Sequence, residues 1–342
     1  MALSRAAGLF ALAALAPLIV DDVGLLNSMV LASAYAVMAL GLNIIVGFAG
    51  LLDLGYVAFF AIGAYTAVYF ASGYWGIHLH VALVMVIAAA VAALAGALIG
   101  APTLRLRGDY IAVVTLAFGE IVAQIVYNGR SIELFGGTLT AGLVGVGPVD
   151  RLTLPLVGRL GPSDLREWYW CGLTLVALVL LVNRNLRRSR IGRAWVALRD
   201  DERAAAVAGV PIARTKLTAY ATGAALGGLA GAFFASYLSI VNPDQFDFGF
   251  SIFILAMVVL GGLGSPAGVV AGAVVLSMVN TWFLRAVPVD LSAVSAGLYG
   301  AVLVVMTLVR PAGLFPDRGR EPRYLRVREI RHRDDARLTD CQ

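Results

Sequence analysis

The chain has 342 residues, of which 60% are apolar and 14% charged, and its mean hydropathy is +0.86. This composition excludes a water-soluble fold, because runs of about 20 almost uncharged residues recur along the chain, each able to cross a hydrocarbon core of ~30 Å. The net charge of +5 does not indicate nucleic-acid binding, since the basic residues are gathered in blocks typical of cytoplasmic loops.

The apolar runs predict an all-α polytopic membrane protein with about ten transmembrane helices. The first run also has the features of a signal peptide, with Arg5 before it and the small-residue triplet Ala14-Leu15-Ala16 within it. Spans two to five and seven to ten enter the membrane in opposite senses, which suggests an inverted repeat. We place the spans at about residues 6–20, 25–47, 57–72, 81–102, 110–128, 168–183, 217–240, 249–263, 267–284 and 291–309.

The basic residues give the orientation of these spans. Nine Lys and Arg fall within residues 184–216 and nine within 310–342, and cytoplasmic loops carry such an excess. This orientation puts 21 of the 26 Lys and Arg in the cytoplasm together with both termini, and leaves 129–167 as a large periplasmic loop. Residues 1–315 are then a transmembrane domain, and the highly charged residues 316–342 a cytoplasmic tail.

The fifth span carries a polar stripe. Glu120 is the only carboxylate well inside a predicted span, and Gln124 and Tyr127 follow it on the same helix face. An ionised group at that depth is costly unless it is paired or hydrated. We therefore expect this face to point into the bundle or a water-filled path. Glu120 either lines or gates a translocation pathway, or is hydrogen-bonded within the bundle as a structural residue.

Two further polar residues flank a glycine-rich break between the second and third spans. Asn43 precedes the segment Gly47-Phe48-Ala49-Gly50 and Asp53 follows it. Non-helical backbone in a membrane protein is tolerated where it lines a cavity, so both residues are candidates for the pathway. Alternatively, Asp53 is a cytoplasmic turn residue or a helix cap.

Residues 199–211 predict a short cytoplasmic helix between two spans. Asp200 or Asp201 can cap its start, Gly209 suits its C-terminal turn, and Pro211 prevents its continuation. Such a helix can transmit a push from another protein, or it can lie on anionic headgroups beside the flanking arginines. The candidate coupling residues are Asp200, Asp201, Glu202, Ala204, Ala205, Val207, Ala208 and Gly209.

Hydrolytic machinery is absent from the sequence. The single lysine, Lys216, follows Arg214-Thr215 rather than a glycine-rich loop, so the chain has no phosphate-binding motif. Its two cysteines and three histidines form no pattern with metal-ligand spacing. We expect a transport subunit rather than an enzyme, without metal or cofactor, and any ATP must be bound by another subunit.

In these residues the chain resembles the M-type permease subunits of branched-chain amino acid ABC importers. The resemblance extends over nearly the whole chain, and the motifs occur in the same order and at the same spacings. The motifs are Gly41-Leu42-Asn43-Ile44-Ile45-Val46-Gly47, Gly50-Leu51-Leu52-Asp53-Leu54-Gly55-Tyr56, Leu104-Arg105-Leu106-Arg107-Gly108-Asp109-Tyr110, Phe118-Gly119-Glu120-Ile121, Gly192-Arg193-Ala194-Trp195, Asp201-Glu202, Leu255 to Ser265, and Arg310-Pro311-Ala312-Gly313-Leu314-Phe315.

The resemblance implies a type II ABC importer permease fold in the bacterial inner membrane. It also implies a homologous H-type permease, two ABC ATPase subunits, one of which docks on residues 199–211, and a periplasmic substrate-binding protein. Many relatives read Gly-Gly-Pro-Asn-Gly in the large outer loop, where this chain has Gly136 to Gly142 with a different sequence. That departure weakens the transfer of substrate identity.

Three alternatives to a branched-chain amino acid permease stay open at this point. Relatives that transport urea or short-chain amides share much of the pattern. An ion-coupled secondary transporter could use Glu120, although it would not need the cytoplasmic helix. A membrane scaffold without a pathway is disfavoured by the polar stripe.

Overall fold

The computed structural model describes residues 10, 13–103, 110–134, 137–154, 158–161, 163–283, 295–310 and 313–315. The predicted tail 316–342, much of the first span, residues 284–294 and the motif at 104–109 therefore lie outside the described residues.

The described part of the chain consists mainly of helices, and Phe10 and residues 13–19 are helical at its start. We number those that follow α1 (Val23–Leu42), α2 (Val57–Phe70), α3 (Val81–Thr103), α4 (Tyr110–Asn128), α5 (Leu165–Arg188), α6 (Arg190–Asp200), α7 (Glu202–Val207), α8 (Ile212–Leu238), α9 (Phe248–Gly261), α10 (Pro266–Met278) and α11 (Ser295–Val309). The π-helical turns Asn43–Phe48 and Val279–Phe283 extend α1 and α10.

Each predicted span from the second to the tenth contains one of these helices. Among the described residues, five helices are long and apolar enough to cross a membrane by length and composition: α1 with its π turn, α3, α4, α5 and α8. The helices α2, α9, α10 and α11 are apolar but shorter. The structure thus has the helical architecture of a polytopic membrane protein.

Several helices begin where a side chain accepts the free backbone N–H groups of the first turn. Asp22 accepts from Gly24 at 2.7 Å before α1, and Asp247 accepts from Phe250 at 2.9 Å before α9. At α10, Ser265 is the cap and Pro266 occupies the first helical position, where no N–H is needed.

The core is formed by α1, α2, α8 and α9, whose side chains are mostly buried. Glycines allow α2 and α8 to touch backbone to backbone. A Cβ at Gly63 would lie 2.1 Å from the carbonyl oxygen of Gly228, and one at Gly231 would lie 2.1 Å from that of Phe60. Such close approach is how helices gain packing energy in lipid, where apolar burial supplies little.

The outer loop folds over one end of the bundle. Its short hairpins pair Glu133–Leu134 with Gly137–Thr138 and Thr153–Leu154 with Gly158–Arg159, while Ala71–Ser72 pairs with Ile77–His78 after α2. Isolated bridges join Val146 to Val241 and Val149 to Ser72. The Nδ1 atom of His78 lies 2.6 Å from Asp150, so this histidine helps to attach the loop.

We predict that Gly63→Ala destabilises the bundle by about 1–3 kcal/mol, because the added methyl group meets rigid backbone and must separate α2 from α8. The midpoint of thermal unfolding of the purified protein in detergent measures this effect. Gly300→Ala is the matched control, since nothing lies within 4 Å of a Cβ built there. Equal midpoints for the two variants would contradict the packing argument.

Candidate functional site

The predicted cytoplasmic helix is present as α7, preceded by the separate helix α6. Asp201, and not Asp200, is its cap: the Asp201 Oδ1 atom accepts N–H groups of Arg203 at 2.8 Å and Ala204 at 3.0 Å. Asp200 is the last residue of α6. Hydrogen bonds from the backbone N–H groups of Ala204 and Arg203 lower the pKa of Asp201, so the cap is charged at neutral pH.

The C-terminal end of α7 also forms as expected from its sequence. Gly209 has φ +84°, a left-handed conformation that glycine adopts without strain. Pro211 then precedes α8 and accepts the N–H of Thr215. The helix is shorter than the range 199–211, because Arg199 and Asp200 belong to α6 and residues 208–211 form the turn into α8.

Apart from Arg203, the exposed residues of α7 and of the turn after it are small or apolar. Ala204, Val207 and Ala208 are exposed, with Val207 at 92%, and Gly209 is exposed beside them. Ala205 is buried instead, so it does not belong to the outer surface. Glu202 also turns inward, towards α8. We call the exposed set Ala204, Val207, Ala208 and Gly209 the docking face.

Two residues that the sequence analysis did not assign to a site attach α6 and α7 to α8. The fully buried Trp195 of α6 donates from Nε1 to Thr215 O at 3.1 Å and to Thr218 Oγ1 at 3.2 Å. Lys216 lies 2.8 Å from Glu202. Lys216 could have been identified from the sequence, because it is the chain's single lysine and directly precedes the predicted span 217–240.

The end of α6 also contacts the π turn that follows α1. Arg199 donates from Nη1 to the carbonyl oxygen of Gly47, and its side chain packs against Gly50. Asn43, in the same turn, accepts the N–H of Gly264 at 2.9 Å. Asn43 therefore joins α1 to the turn between α9 and α10, rather than lining a cavity of the described chain.

Residues 49–56, between the π turn and α2, form a non-helical connection inside the bundle. Thr115 Oγ1 accepts the N–H of Leu54 at 3.1 Å, and Ser251 Oγ accepts that of Val57 at 3.4 Å. Tyr56 donates to the carbonyl oxygen of Gly223, near the middle of α8, at 2.7 Å. The connection thus packs against α4, α8 and α9.

Asp53 is buried within this connection and accepts the N–H of Gly55 at 2.9 Å. It is neither a solvent-exposed turn residue nor the cap of α2, whose N-cap is Tyr56. Gly55 makes the fit possible, because a Cβ there would lie 1.8 Å from the carbonyl oxygen of Thr115. The carboxyl group of Asp53 thus helps to hold the connection against α4.

The polar stripe of α4 lies on the outside of the chain. Glu120, Gln124, Tyr127 and Asn128 are all exposed, and Asn128 donates to the Oε1 atom of Gln124 at 3.3 Å. The expectation that Glu120 points into this chain's own bundle is therefore wrong. An open hollow of about 380 Å³ lies along the same face, lined by Glu120, Ile121, Gln124, Ile125, Asn128 and Ile132.

The outward side of α3 differs from that of α4. Its exposed large side chains are Leu83, Val86, Val91, Leu94 and Leu98, all apolar. Such a face suits hydrocarbon, whereas polar and ionisable groups at this depth meet protein or water. The face of α4 that carries Glu120 and Gln124 is therefore suited to a neighbouring subunit or an aqueous path.

Residues 24–312 match the family described as the permease component of the branched-chain amino acid transport system. The chain is 39% identical, over 86% of its length and 70% of the relative's, to the high-affinity branched-chain amino acid transport system permease protein LivM of Escherichia coli (strain K12). It is 40% identical to the protein of the same name from Salmonella typhimurium, over 82% of the chain and 68% of the relative.

A more distant similarity is to the high-affinity branched-chain amino acid transport system permease protein LivH of Escherichia coli (strain K12). The two are 23% identical over 84% of this chain and 93% of the relative. No solved structure matches the chain.

We predict that Asp201→Ala loosens α7, because two N–H groups of its first turn lose their acceptor. Amide hydrogen exchange across residues 203–207 should accelerate by about five-fold. Asp200→Ala, which removes no cap, should leave this exchange unchanged. Since the pKa of Asp201 is lowered in the folded chain, its contribution to stability is present at neutral pH and is lost as the pH falls through that lowered pKa. Equal exchange in both variants at neutral pH would refute the assigned cap.

Proposed function

This chain belongs to the family of branched-chain amino acid transport system permease components, and from that membership we propose that it is the M-type membrane subunit of an ABC importer. The observation that carries the proposal is the identity to LivM permease proteins over most of the chain. The subunit forms part of the membrane pathway, and ATP hydrolysis belongs to separate subunits because the sequence lacks a phosphate-binding motif.

Two ABC ATPases are the proposed partners on the cytoplasmic side, one of them docking on this chain. The docking face supports this assignment, since Ala204, Ala208 and Gly209 allow a groove of another protein to approach the backbone of α7 closely and Val207 projects as an apolar anchor. Trp195 and Arg199 connect the same unit to α8 and to the π turn after α1. A push on α7 is thereby delivered to two central helices.

An H-type permease is the proposed partner within the membrane, and the similarity to LivH proteins supports such a paired subunit. We assign the polar face of α4 to the boundary between the two permeases. Glu120, Gln124 and Tyr127 would then line the pathway from this side. Asn43 and Asp53 act behind it, since they hold the π turn and the connection 49–56 in position.

The proposed topology has ten spans in the bacterial inner membrane, with both termini in the cytoplasm. We also propose an inverted repeat whose two halves are α1–α4 and α8–α11. The positions of α1 and α8 support it. Each is the first helix of its set, and the two pack against each other in the core. A periplasmic substrate-binding protein would meet the opposite side, where the loop 129–167 covers the bundle.

The proposed substrates are leucine and related branched-chain amino acids, as the names of the relatives indicate. An ion-coupled transporter is not favoured, because Glu120 lies on the outer face of the chain and not in a closed site of its own. Urea or short amides remain the alternative substrates to be distinguished by competition.

We expect purification from the native membrane in mild detergent to recover two ATPases and a second permease with this chain. The reconstituted complex, supplied with its binding protein and ATP, should take up leucine, and excess urea should not compete. Val207→Asp should retain the second permease and lose the ATPases, because the docking face then carries a buried charge. Leucine uptake driven by an ion gradient, with this chain alone, would refute the proposal.

We predict that the double variant Glu120→Gln, Gln124→Ala lowers ATP-driven uptake by about ten-fold, since groups along the pathway lose charge and hydrogen-bonding capacity. Leu94→Ala is the control, because Leu94 is an exposed apolar residue on the outward face of α3, and its uptake should stay within about two-fold. Unchanged uptake and thermal stability in the double variant would remove Glu120 and Gln124 from the pathway.

A further inference from the structure

An ion pair between a buried lysine and a partly exposed glutamate links the cytoplasmic helix α7 to the membrane helix α8. Lys216 Nζ lies 2.8 Å from Glu202 Oε1, and the side chain of Lys216 is 1% exposed while that of Glu202 is 39% exposed. We propose that this pair is the positioning link through which movement of α7 is transmitted to α8, so that ATP hydrolysis stays coupled to substrate movement. The inference rests on the function proposed above.

The burial of Lys216 makes the pair difficult to separate. An ammonium group out of water is stable only when an opposite charge or acceptor groups replace its solvent. Within the described residues, Glu202 is the only ion-pair partner of Lys216. Any shift of α7 away from α8 would therefore leave a buried charge without its counter-ion. Apolar contacts impose no comparable restraint, since they permit sliding.

The other attachments of α7 are weaker. Its six residues are too few for an independently stable helix, and Ala205 is the only fully buried residue it contributes. The chain that connects α7 to α8 passes through Gly209, and the backbone hydrogen bonds of this turn, from Gly209 N to Ala206 O and from Val210 N to Ala205 O, return to α7 itself rather than to α8. Trp195 anchors α6, not α7. A force applied to Val207 therefore reaches α8 directly through Glu202 and Lys216, beside the indirect route through α6 and Trp195.

The position of Lys216 in α8 determines where that force goes. Lys216 lies in the second turn of α8, two turns before Gly223, whose carbonyl oxygen accepts the Tyr56 hydroxyl. Movement of α8 along this line displaces the connection 49–56 as well as the helices packed against α8. The pair thus joins the docking face to the buried non-helical segment next to α4.

The test uses the complete complex of both permeases, two ATPases and the binding protein, reconstituted in proteoliposomes. ATP hydrolysis and leucine uptake are measured on the same vesicles and normalised to assembled complex. In Lys216→Met, hydrolysis should stay within about two-fold, while uptake per ATP falls by about ten-fold or more. Arg214→Met is the matched control, since Arg214 is an exposed cation of the same helix, and its ratio should equal that of the wild type.

Two further variants separate coupling from folding. Glu202→Gln should also lower uptake per ATP, although its site is at the surface and the substitution is isosteric. The charge-reversed variant Glu202→Lys, Lys216→Glu should regain at least about half of the lost ratio, as expected for two residues that act as one unit.

Three results would overturn the inference. An unchanged uptake-to-ATP ratio in Lys216→Met and Glu202→Gln would do so. So would hydrolysis and uptake that both fall only in proportion to the amount of assembled complex, because such losses indicate a role in folding alone. A failure of charge reversal to restore the ratio would exclude the pair as the link. Absence of ATP-driven uptake in the wild-type complex is distinguishable, since it would refute the proposed function itself.

Discussion

Inside a bilayer, a backbone N–H or C=O group that leaves a regular helix finds no water, so the protein must supply its partner. Residues 49–56 leave regular helix and depend on such partners. The helix α2 that follows them has 14 residues, which span about 21 Å at 1.5 Å per residue, less than the ~30 Å of a hydrocarbon core. Thr115 accepts the N–H of Leu54 and the Asp53 carboxyl that of Gly55, while Ser251 accepts that of Val57 at the start of α2.

This requirement sets the arrangement of the surrounding helices. The acceptors come from α4, α9 and the connection itself, while Tyr56 reaches α8, so each of these helices must pack directly on the segment. Glycine permits that proximity: Gly55 meets the backbone of α4, as Gly63 of α2 meets that of α8. Because glycine has no side chain, the helices can approach each other closely, and their contacts then depend on a close fit between the two backbones.

The unit formed by α6 and α7 holds both central helices at their predicted inner ends. Arg199 contacts the π turn after α1, and Trp195 and Lys216 contact the first turns of α8. A rigid unit fixed at these points can change the relative position of α1 and α8 without any rearrangement inside α6 or α7. The docking face lies on the free side of this unit, where it is accessible to a partner.

The sequence by itself determined the class of the protein and the local ends of its helices. Uncharged runs gave nine spans close to the observed helices, and Gly209 and Pro211 predicted the end of α7, because hydropathy, capping and φ preferences act over a few residues. Only the tertiary structure decided between Asp200 and Asp201 as the cap, turned Glu202 towards Lys216, buried Asp53 and placed Glu120 outside. Each of these outcomes depends on which face of a helix meets a neighbour distant in sequence, and helical periodicity identifies a polar face without identifying what it contacts.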